Sequence, residues 1–208
     1  EVKNRSSRNR IFDPNRTFKI KPAINYEGIS VGKKAGKYFL YNSRFTQYKR
    51  QDLAIEAFKI SGLYKRGFKL VLSGFIEDKN YFEKLKKMAN KYIIFKTNVK
   101  TEELRKLYKN CYATLFVALN EDTGFVPIES LAYGKPVIAV NEGGPREFIK
   151  NDYNGILVKS DPKAIAHAMI RITDKKFYSS LVYGAINSPK YPMEVSVKEF
   201  DDLIDIIS

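Results

Sequence analysis

The sequence predicts an α/β fold in which helices flank a parallel sheet of short, buried strands. Two observations support this prediction. Short apolar runs recur along the chain, and the longer segments that alternate with them have apolar residues at helical spacing. The composition agrees with it, because 208 residues of which 44% are hydrophobic can bury a substantial core without crosslinks. A single cysteine, Cys111, excludes disulfides within the chain, and with the single histidine, His167, it disfavours a Cys/His zinc site.

The predicted strands are short apolar runs. Residues 37–42 read KYFLYN, and residues 68–73 read FKLVLS and are closed by Gly74. Runs of this length and composition are typical of buried strands. In chain order the predicted strands are residues 37–42, 68–73, 93–96, 111–118, 136–140 and 155–158.

The predicted helices lie between and after these strands. Residues 80–91 place Phe82, Leu85 and Ala89 on one face, as in an amphipathic helix. Thr101 is a predicted N-cap, because two glutamates follow it, and Asp161 before a proline is another predicted helix start. In chain order the predicted helices are residues 51–60, 80–91, a segment that begins at 101, 127–133, 161 to about 172, 175–186 and 195–207.

Alternating strands and helices also predict where a ligand binds. Units of this kind have right-handed connections, and ligands bind beyond the carboxyl ends of the parallel strands. The loops at that edge are residues 43–50, 74–79, 96–101, 120–126 and 141–146.

The excess of positive charge is the most unusual feature of the composition. Lysine and arginine number 37 against 23 aspartate and glutamate, which gives a formal net charge of +14. This excess favours nucleic acid, anionic lipid or phosphorylated ligands, although a solvated basic surface without a partner explains it equally well. The basic residues 1–23 are predicted to be an arm or linker. No apolar run approaches the roughly 20 residues of a membrane span, and no signal-peptide pattern is visible, which predicts a cytoplasmic protein.

Two carboxylates flank a glycine turn in the strongest candidate site. Glu121 follows a predicted strand, and Glu129 lies about one turn into a predicted helix. The unpaired N–H groups at Gly124, Phe125 and Val126 favour an anion such as phosphate, whereas a carboxylate favours the hydroxyl groups of a sugar. This layout is the one expected for a sugar nucleotide. The alternative is an ordinary helix glutamate beside a solvated loop glutamate.

A second candidate site is the basic loop that follows the first predicted strand. Arg44 and Lys49 can converge there on one anion, although a basic surface turn is the alternative in so basic a chain. The Gly-Gly-Pro turn at residues 143–145 is weak evidence alone. Neither a P-loop pattern nor G-x-G-x-x-G after the first strand is present, which disfavours a P-loop ATPase and a dinucleotide-dependent dehydrogenase.

Taken together, these segments resemble a known family. Residues 121–147 (EDTGFVPIESLAYGKPVIAVNEGGPRE) closely resemble the E-x7-E region of the retaining glycosyltransferases of family 4. Residues 43–53, 70–74 and 95–108 resemble further segments of that family in the same order. The family has the GT-B fold, with two Rossmann-like domains that face each other across a cleft. The resemblance implies that this chain is the C-terminal, donor-binding half, with mannosyltransferase-like members the most similar.

The resemblance also implies a role for each matched residue. Arg44 and Lys49 match the basic pair that grips the donor diphosphate and stabilises the leaving group. Glu121 matches the residue that contacts the transferred sugar, and Glu129 matches the one that binds the ribose hydroxyls. The diphosphate-binding turn of the family matches the backbone of Gly124, Phe125 and Val126. The loop that contacts the base matches Asn98 and Val99. The family needs no metal and no cofactor besides a donor of the GDP-mannose or UDP-glucose type.

The chain departs from the family pattern at several positions. Thr123 stands where the family usually has Phe, Asn42 and Ser43 replace Val-Gly before the arginine, and Asn98 replaces a glycine. These changes leave phosphate binding plausible and leave the sugar and the base open.

The domain organisation follows from the same resemblance. Residues 24–192 are expected to form the nucleotide-sugar-binding domain, and residues 193–208 a helix that packs toward an amino-terminal half not included in this chain. The expected reaction transfers a hexose to a glycan or a lipid-linked acceptor, without nucleic acid, at an anionic membrane face that suits the basic charge. Two alternatives stay open: a basic nucleic-acid-binding module and a non-catalytic regulatory module.

Overall fold

A computed structural model describes residues 22–32, 34–119 and 121–207 of the chain. In these residues six strands form one parallel sheet with the order β3-β2-β1-β4-β5-β6. This confirms the predicted α/β class. The strands are β1 (Tyr38–Asn42), β2 (Lys69–Gly74), β3 (Ile93–Thr97), β4 (Ala113–Phe116), β5 (Val137–Val140) and β6 (Gly155–Val158).

Helices connect each of the first four strands to the next, a 3₁₀ turn lies between β5 and β6, and within residues 121–207 three helices follow β6. The helices are α1 (Gln51–Ser61), α2 (Lys79–Met88), α3 (Thr101–Asn110), α4 (Phe125–Ala132), α5 (Pro162–Arg171), α6 (Lys175–Ile186) and α7 (Met193–Ile207). Short 3₁₀ turns lie beside several of them. No helix in the described part of the chain is long and apolar enough to cross a membrane.

The helix starts show which local predictions hold. The Asp161 side chain accepts a hydrogen bond from the Ala164 N–H, which confirms the predicted N-cap. The prediction for Thr101 is wrong: Lys100 is the N-cap, it makes no side-chain capping bond, and Thr101 is the first helical residue. The fourth predicted strand is also too long, because β4 spans only Ala113–Phe116, while Cys111, Val117 and Ala118 are buried outside it.

The strands carry the core on both faces of the sheet. Phe39 and Tyr41 belong to the larger apolar cluster on one face, and Leu40 between them belongs to a smaller cluster on the other. The smaller cluster includes Tyr108 of α3 and Tyr133, which follows α4. Burial on both faces explains why the strands are continuous apolar runs rather than alternating ones.

The strand order reverses beside β1. Moving outward from β1, the sheet continues through β2 and β3 on one side and through β4, β5 and β6 on the other. The connections on the two sides diverge there, which leaves a crevice beyond the carboxyl ends of β1 and β4. The loops that follow these two strands therefore border the crevice.

The segment before β1 lies against the end of the domain. The Ile24 N–H donates to the Tyr191 carbonyl (3.0 Å), and the Tyr191 N–H donates to the Tyr26 hydroxyl (3.0 Å). These contacts tie the segment before β1 to the segment that precedes α7. Nearly all of the predicted arm, residues 1–21, lies outside the described residues.

Candidate functional site

The loop after β1 is tied down by a buried glutamine. Gln51, the first residue of α1, is fully buried, and its Nε2 donates to the Arg44 carbonyl (2.7 Å) and to Ser43 Oγ (2.8 Å). The Ser43 N–H donates to the Ser73 carbonyl (2.8 Å). A Cβ on Gly74 would lie 2.0 Å from the Ser43 carbonyl oxygen, so this close approach requires glycine. The loop therefore presents its basic side chains from a fixed backbone.

Both basic residues of this loop have acidic partners. Lys49 Nζ forms an ion pair with Glu121 Oε2, and these side chains are only 16% and 28% exposed. Arg44 pairs with Glu77 at 2.8 Å, with side chains that are 51% and 42% exposed. Lys49 is thus held at a half-buried position, whereas Arg44 is free to leave its partner for a ligand.

These groups line one open cleft of about 420 Å³. Arg44, Lys49 and Glu121 border it together with Glu77 and exposed apolar residues of the neighbouring loops. The structure therefore brings together three residues that the sequence analysis selected from two separate segments.

The backbone around Glu121 is fixed by the Gly-Gly-Pro turn. The Gly144 N–H donates to the Glu121 carbonyl (2.7 Å). A Cβ on Gly143 would lie 2.2 Å from that carbonyl oxygen, and a Cβ on Gly144 would lie 2.1 Å from the Asp122 carbonyl oxygen. The paired glycines therefore let the turn pack backbone to backbone against the loop after β4, a role that the sequence analysis did not assign to them.

The first turn of α4 lies between the two carboxylates. Gly124 is its N-cap, with φ 77°, and Phe125 is the first helical residue, so the helix begins two residues earlier than predicted. The first N–H groups of a helix have no partner within it and attract anions. Gly124 is buried, whereas the Phe125 side chain is 52% exposed at the surface.

Glu129 lies in a second pocket, of about 340 Å³. Tyr108 Oη donates to Glu129 Oε2 at 2.6 Å, and both residues line this pocket with Phe125. Burial raises the pKa of Glu129 above its usual value, and the hydrogen bond from Tyr108 opposes that rise. The sequence analysis missed Tyr108, although this residue is the last of the segment 95–108 that resembles the family, which was a signal that could have indicated it.

The predicted base loop lies apart from both pockets. Asn98 and Val99 follow β3, and neither lines the 420 Å³ cleft or the 340 Å³ pocket. Asn98 has φ 54°, a left-handed conformation that glycine and asparagine adopt most readily. This backbone explains why asparagine is accepted where the resembled pattern has glycine. In the described part of the chain, no group of three or more His, Cys, Asp or Glu residues could hold a metal ion.

Comparison with known proteins identifies relatives of the whole domain. The model of the glycosyl transferases group 1 family matches residues 27–187. The alpha-1,3/1,6-mannosyltransferase ALG2 of Dictyostelium discoideum is 31% identical over 173 residues, which cover 74% of this chain and 39% of that protein. The chain therefore spans about two fifths of this relative's length.

Solved structures share the fold at low sequence identity. A glycosyltransferase from Rickettsia africae superimposes with a TM-score of 0.82 and 20% identity, covering 99% of this chain and 61% of that one. Anabaena HepE in complex with UDP and glucose gives a TM-score of 0.79 and 17% identity, covering 94% of this chain and 57% of that one. These similarities confirm that the sheet is one half of a GT-B fold.

Proposed function

This chain belongs to the glycosyl transferases group 1 family, and we propose that it is the donor-binding half of an enzyme that transfers a hexose from a nucleoside diphosphate sugar. Within that family we assign it to the retaining enzymes of family 4, on the E-x7-E pattern of Glu121 and Glu129. The acceptor that we propose is a glycan or a lipid-linked sugar.

One observation carries this proposal: residues around the start of α4 line two pockets, each with a carboxylate, since Asp122 lines one and Phe125 lines the other. Glu121 lines the 420 Å³ cleft with Arg44 and Lys49, and Glu129 lines the 340 Å³ pocket. A donor laid across the helix start would have its nucleoside in the second pocket and its sugar in the first. Its diphosphate would then meet the N–H groups of Gly124, Phe125 and Val126, which match the diphosphate-binding turn of the resembled family.

The basic residues suit the chemistry of the leaving group. When the sugar leaves, negative charge develops on the nucleoside diphosphate, and cations already in place stabilise that charge. Lys49 is preorganised by its pair with Glu121. Arg44 can exchange Glu77 for phosphate and supply two parallel hydrogen bonds.

The carboxylates suit hydroxyl groups on both sides of the phosphates. Glu121 would accept hydrogen bonds from the transferred sugar, and Glu129 from the ribose. Asn98 and Val99 would contact the base, which requires the nucleotide to extend beyond the pocket that Glu129 lines.

The identity of the donor is the finer part of the proposal. The ALG2 relative is a mannosyltransferase by name, which supports mannose as the transferred sugar. We therefore propose GDP-mannose as the first choice of donor. The Anabaena structure was solved with UDP and glucose, which supports a donor of the UDP-glucose type as the second choice.

A second domain would complete the active site. The chain spans 39% of the Dictyostelium relative, and its 420 Å³ cleft is open, whereas group transfer requires an oriented acceptor and the exclusion of water. We propose that an amino-terminal half supplies them and that α7 packs against it. The net charge of +14 supports the proposal that the enzyme acts at the cytoplasmic, anionic face of a membrane.

Nucleotide binding by this chain tests the proposal. Thermal shift and calorimetry with GDP, UDP, ADP and a short DNA duplex, all at one salt concentration, compare the chain with Arg44→Ala and Glu129→Ala. Ligand at about 100 times its dissociation constant adds roughly 2.7 kcal/mol of stability, which a melting curve detects. We expect one diphosphate to stabilise the chain selectively, and both variants to lose the effect.

A Lys69→Ala variant is the control for charge alone, because Lys69 is exposed at the opposite edge of the sheet. Salt-sensitive duplex binding without any response to nucleotides would favour the nucleic-acid-binding alternative. Diphosphate binding that survives both site variants would favour a binding site elsewhere.

A further inference from the structure

A chain of side-chain hydrogen bonds leads from the sheet to Glu129. Ser73 Oγ donates to Asn42 Oδ1 (2.8 Å), and Asn42 Nδ2 donates to Tyr108 Oη (3.4 Å). Tyr108 Oη in turn donates to Glu129 Oε2 (2.6 Å). Ser73 is fully buried and Tyr108 is 2% exposed, so water competes little for these bonds.

The order of donors gives this chain of bonds a direction. Because the amide oxygen of Asn42 accepts from Ser73, its nitrogen is the group that faces Tyr108. A tyrosine hydroxyl has a single proton, and while its oxygen accepts from Asn42 that proton is free to point at Glu129. Asn42 therefore sets the direction in which Tyr108 donates.

The Tyr108 ring is held in one place by packing. It stacks on the ring of Tyr133 with centroids 5.4 Å apart and an angle of 3° between the planes. It also belongs to the buried cluster of Leu40, Val71 and Cys111. The position of the hydroxyl is thus set by the sheet and not by the ligand.

We propose that Tyr108 is a positioning residue, directed by Asn42, which holds the Glu129 carboxylate in place to accept hydrogen bonds from the ribose hydroxyls of a nucleoside diphosphate. This inference rests on the proposed function, which gives Glu129 its ribose-binding role. A carboxylate has about four acceptor positions, so the bond from Tyr108 leaves the others for the ligand. Asn42 is one of the positions at which this chain departs from the family pattern. The direction of these hydrogen bonds is therefore a feature of this sequence and not of the pattern.

Ribose recognition provides a test that a purely structural role would not pass. Calorimetry on the 208-residue chain uses whichever of GDP, UDP and ADP binds most tightly, together with the 2′,3′-dideoxy analogue of that diphosphate. We expect Tyr108→Phe to weaken binding of the ribonucleotide about tenfold, the typical effect of losing a hydrogen bond to a charged group, and to leave the dideoxy analogue unchanged. Asn42→Val should cause a smaller loss with the same preference.

Tyr178→Phe is the matched control. It removes a hydroxyl that donates to the Tyr112 carbonyl (2.9 Å), and Tyr178 lines neither of the two pockets. We expect this variant to bind both nucleotides as the unmodified chain does. If Tyr108→Phe fails to fold, the ratio of ribonucleotide to dideoxynucleotide affinity in Asn42→Val decides the question.

The outcomes separate this inference from the proposed function. Equal weakening of both nucleotides by Tyr108→Phe would mean that Tyr108 only supports the fold. If Glu129→Gln removes the preference for ribose while Tyr108→Phe and Asn42→Val keep it, the inference is wrong and the proposed function stands. If the unmodified chain binds no nucleoside diphosphate, both are wrong.

Discussion

The Nζ of Lys49 and the Oε2 of Glu121 form an ion pair that joins the loops after β1 and β4. These are the strands between which the strand order reverses, so the pair lies at the mouth of the crevice. Because both side chains are mostly buried, solvent screens the pair less than it screens a surface pair. The proposed roles of the two residues, Lys49 toward the diphosphate and Glu121 toward the sugar hydroxyl groups, both depend on this pair.

Replacing Lys49 by methionine should weaken diphosphate binding about tenfold or more, since a hydrogen bond to a charged group is lost. Lys69→Met removes the same charge at the amino end of β2 and should change binding by less than about twofold at physiological salt. Calorimetry measures both. Equal losses in the two variants would show that the net charge, and not this site, attracts the ligand.

If Arg44 binds the diphosphate, Glu77 competes with that ligand for the Arg44 guanidinium. Glu77→Gln removes the exposed 2.8 Å ion pair, which is worth at most about 1 kcal/mol, so diphosphate affinity should rise by about two- to fivefold. The control is Glu83→Gln, which breaks an exposed pair with Lys86 within α2. Titrations at low and high salt would reveal the gain, and an unchanged affinity in Glu77→Gln would mean that Arg44 does not bind the diphosphate.

Gly143→Ala should damage both stability and the site. The new Cβ would meet the Glu121 carbonyl oxygen at 2.2 Å, and the backbone angles of φ 64° and ψ −152° are open essentially to glycine alone. We expect a loss of about 2 kcal/mol or more in the free energy of unfolding, with weaker nucleotide binding.

Gly62→Ala is the control for positive φ, because Gly62 has φ 63° with nothing within 4 Å of its added Cβ. It should cost only about 1 kcal/mol and leave nucleotide binding unchanged. Chemical denaturation of both variants makes the comparison. If the two lose equal stability, the contact with Glu121 is not tight in solution.

Glu129 should reduce stability at neutral pH. Burial raises the pKa of Glu129 in the folded chain, so the folded state holds the proton more firmly than the unfolded state does. The contribution of Glu129 to the free energy of unfolding is therefore largest below its ordinary value of 4.5 and falls as the pH rises through the raised folded-state pKa. Tyr108, Tyr133 and Arg105 are the other titratable groups around it.

The melting temperature of Glu129→Gln, relative to that of the unmodified chain, should consequently increase as the pH rises from 4 to 7. The variant should also bind nucleotide more weakly. Glu56→Gln on the exposed face of α1 should show no such trend. A melting-temperature difference that stays constant between pH 4 and pH 7 would contradict the raised pKa.

The apolar face of α7 should be dispensable for this chain alone. Val197 and Phe200 are 54% and 52% exposed, so Phe200→Asp should change the free energy of unfolding by no more than about 0.5 kcal/mol. In a protein that contains both halves, the same variant should reduce transferase activity. A large loss of stability in the 208-residue chain would show that this face packs on the donor-binding half instead.

The local pattern predicted most of the elements because their causes are local. A capping aspartate before a proline is visible in a few residues, and Asp161 caps α5 as expected. Thr101 has the same kind of signal, yet it became the first residue of α3, since the preceding Lys100 adopts the extended N-cap conformation. Strand length also depends on pairing with distant segments, which is why β4 is shorter than its apolar run.

By itself, the sequence determined the class of the fold, and it selected one edge of the sheet and the residues Arg44, Lys49, Glu121 and Glu129 as a candidate site. These follow from apolar periodicity, from loop position and from short motifs, which are all properties of neighbouring residues. Only the tertiary structure decided that Lys49 pairs with Glu121, that Tyr108 holds Glu129 and that the paired glycines fit against the Glu121 backbone. Those contacts join segments 21 to 72 residues apart, and their distances depend on how the helices pack on the sheet.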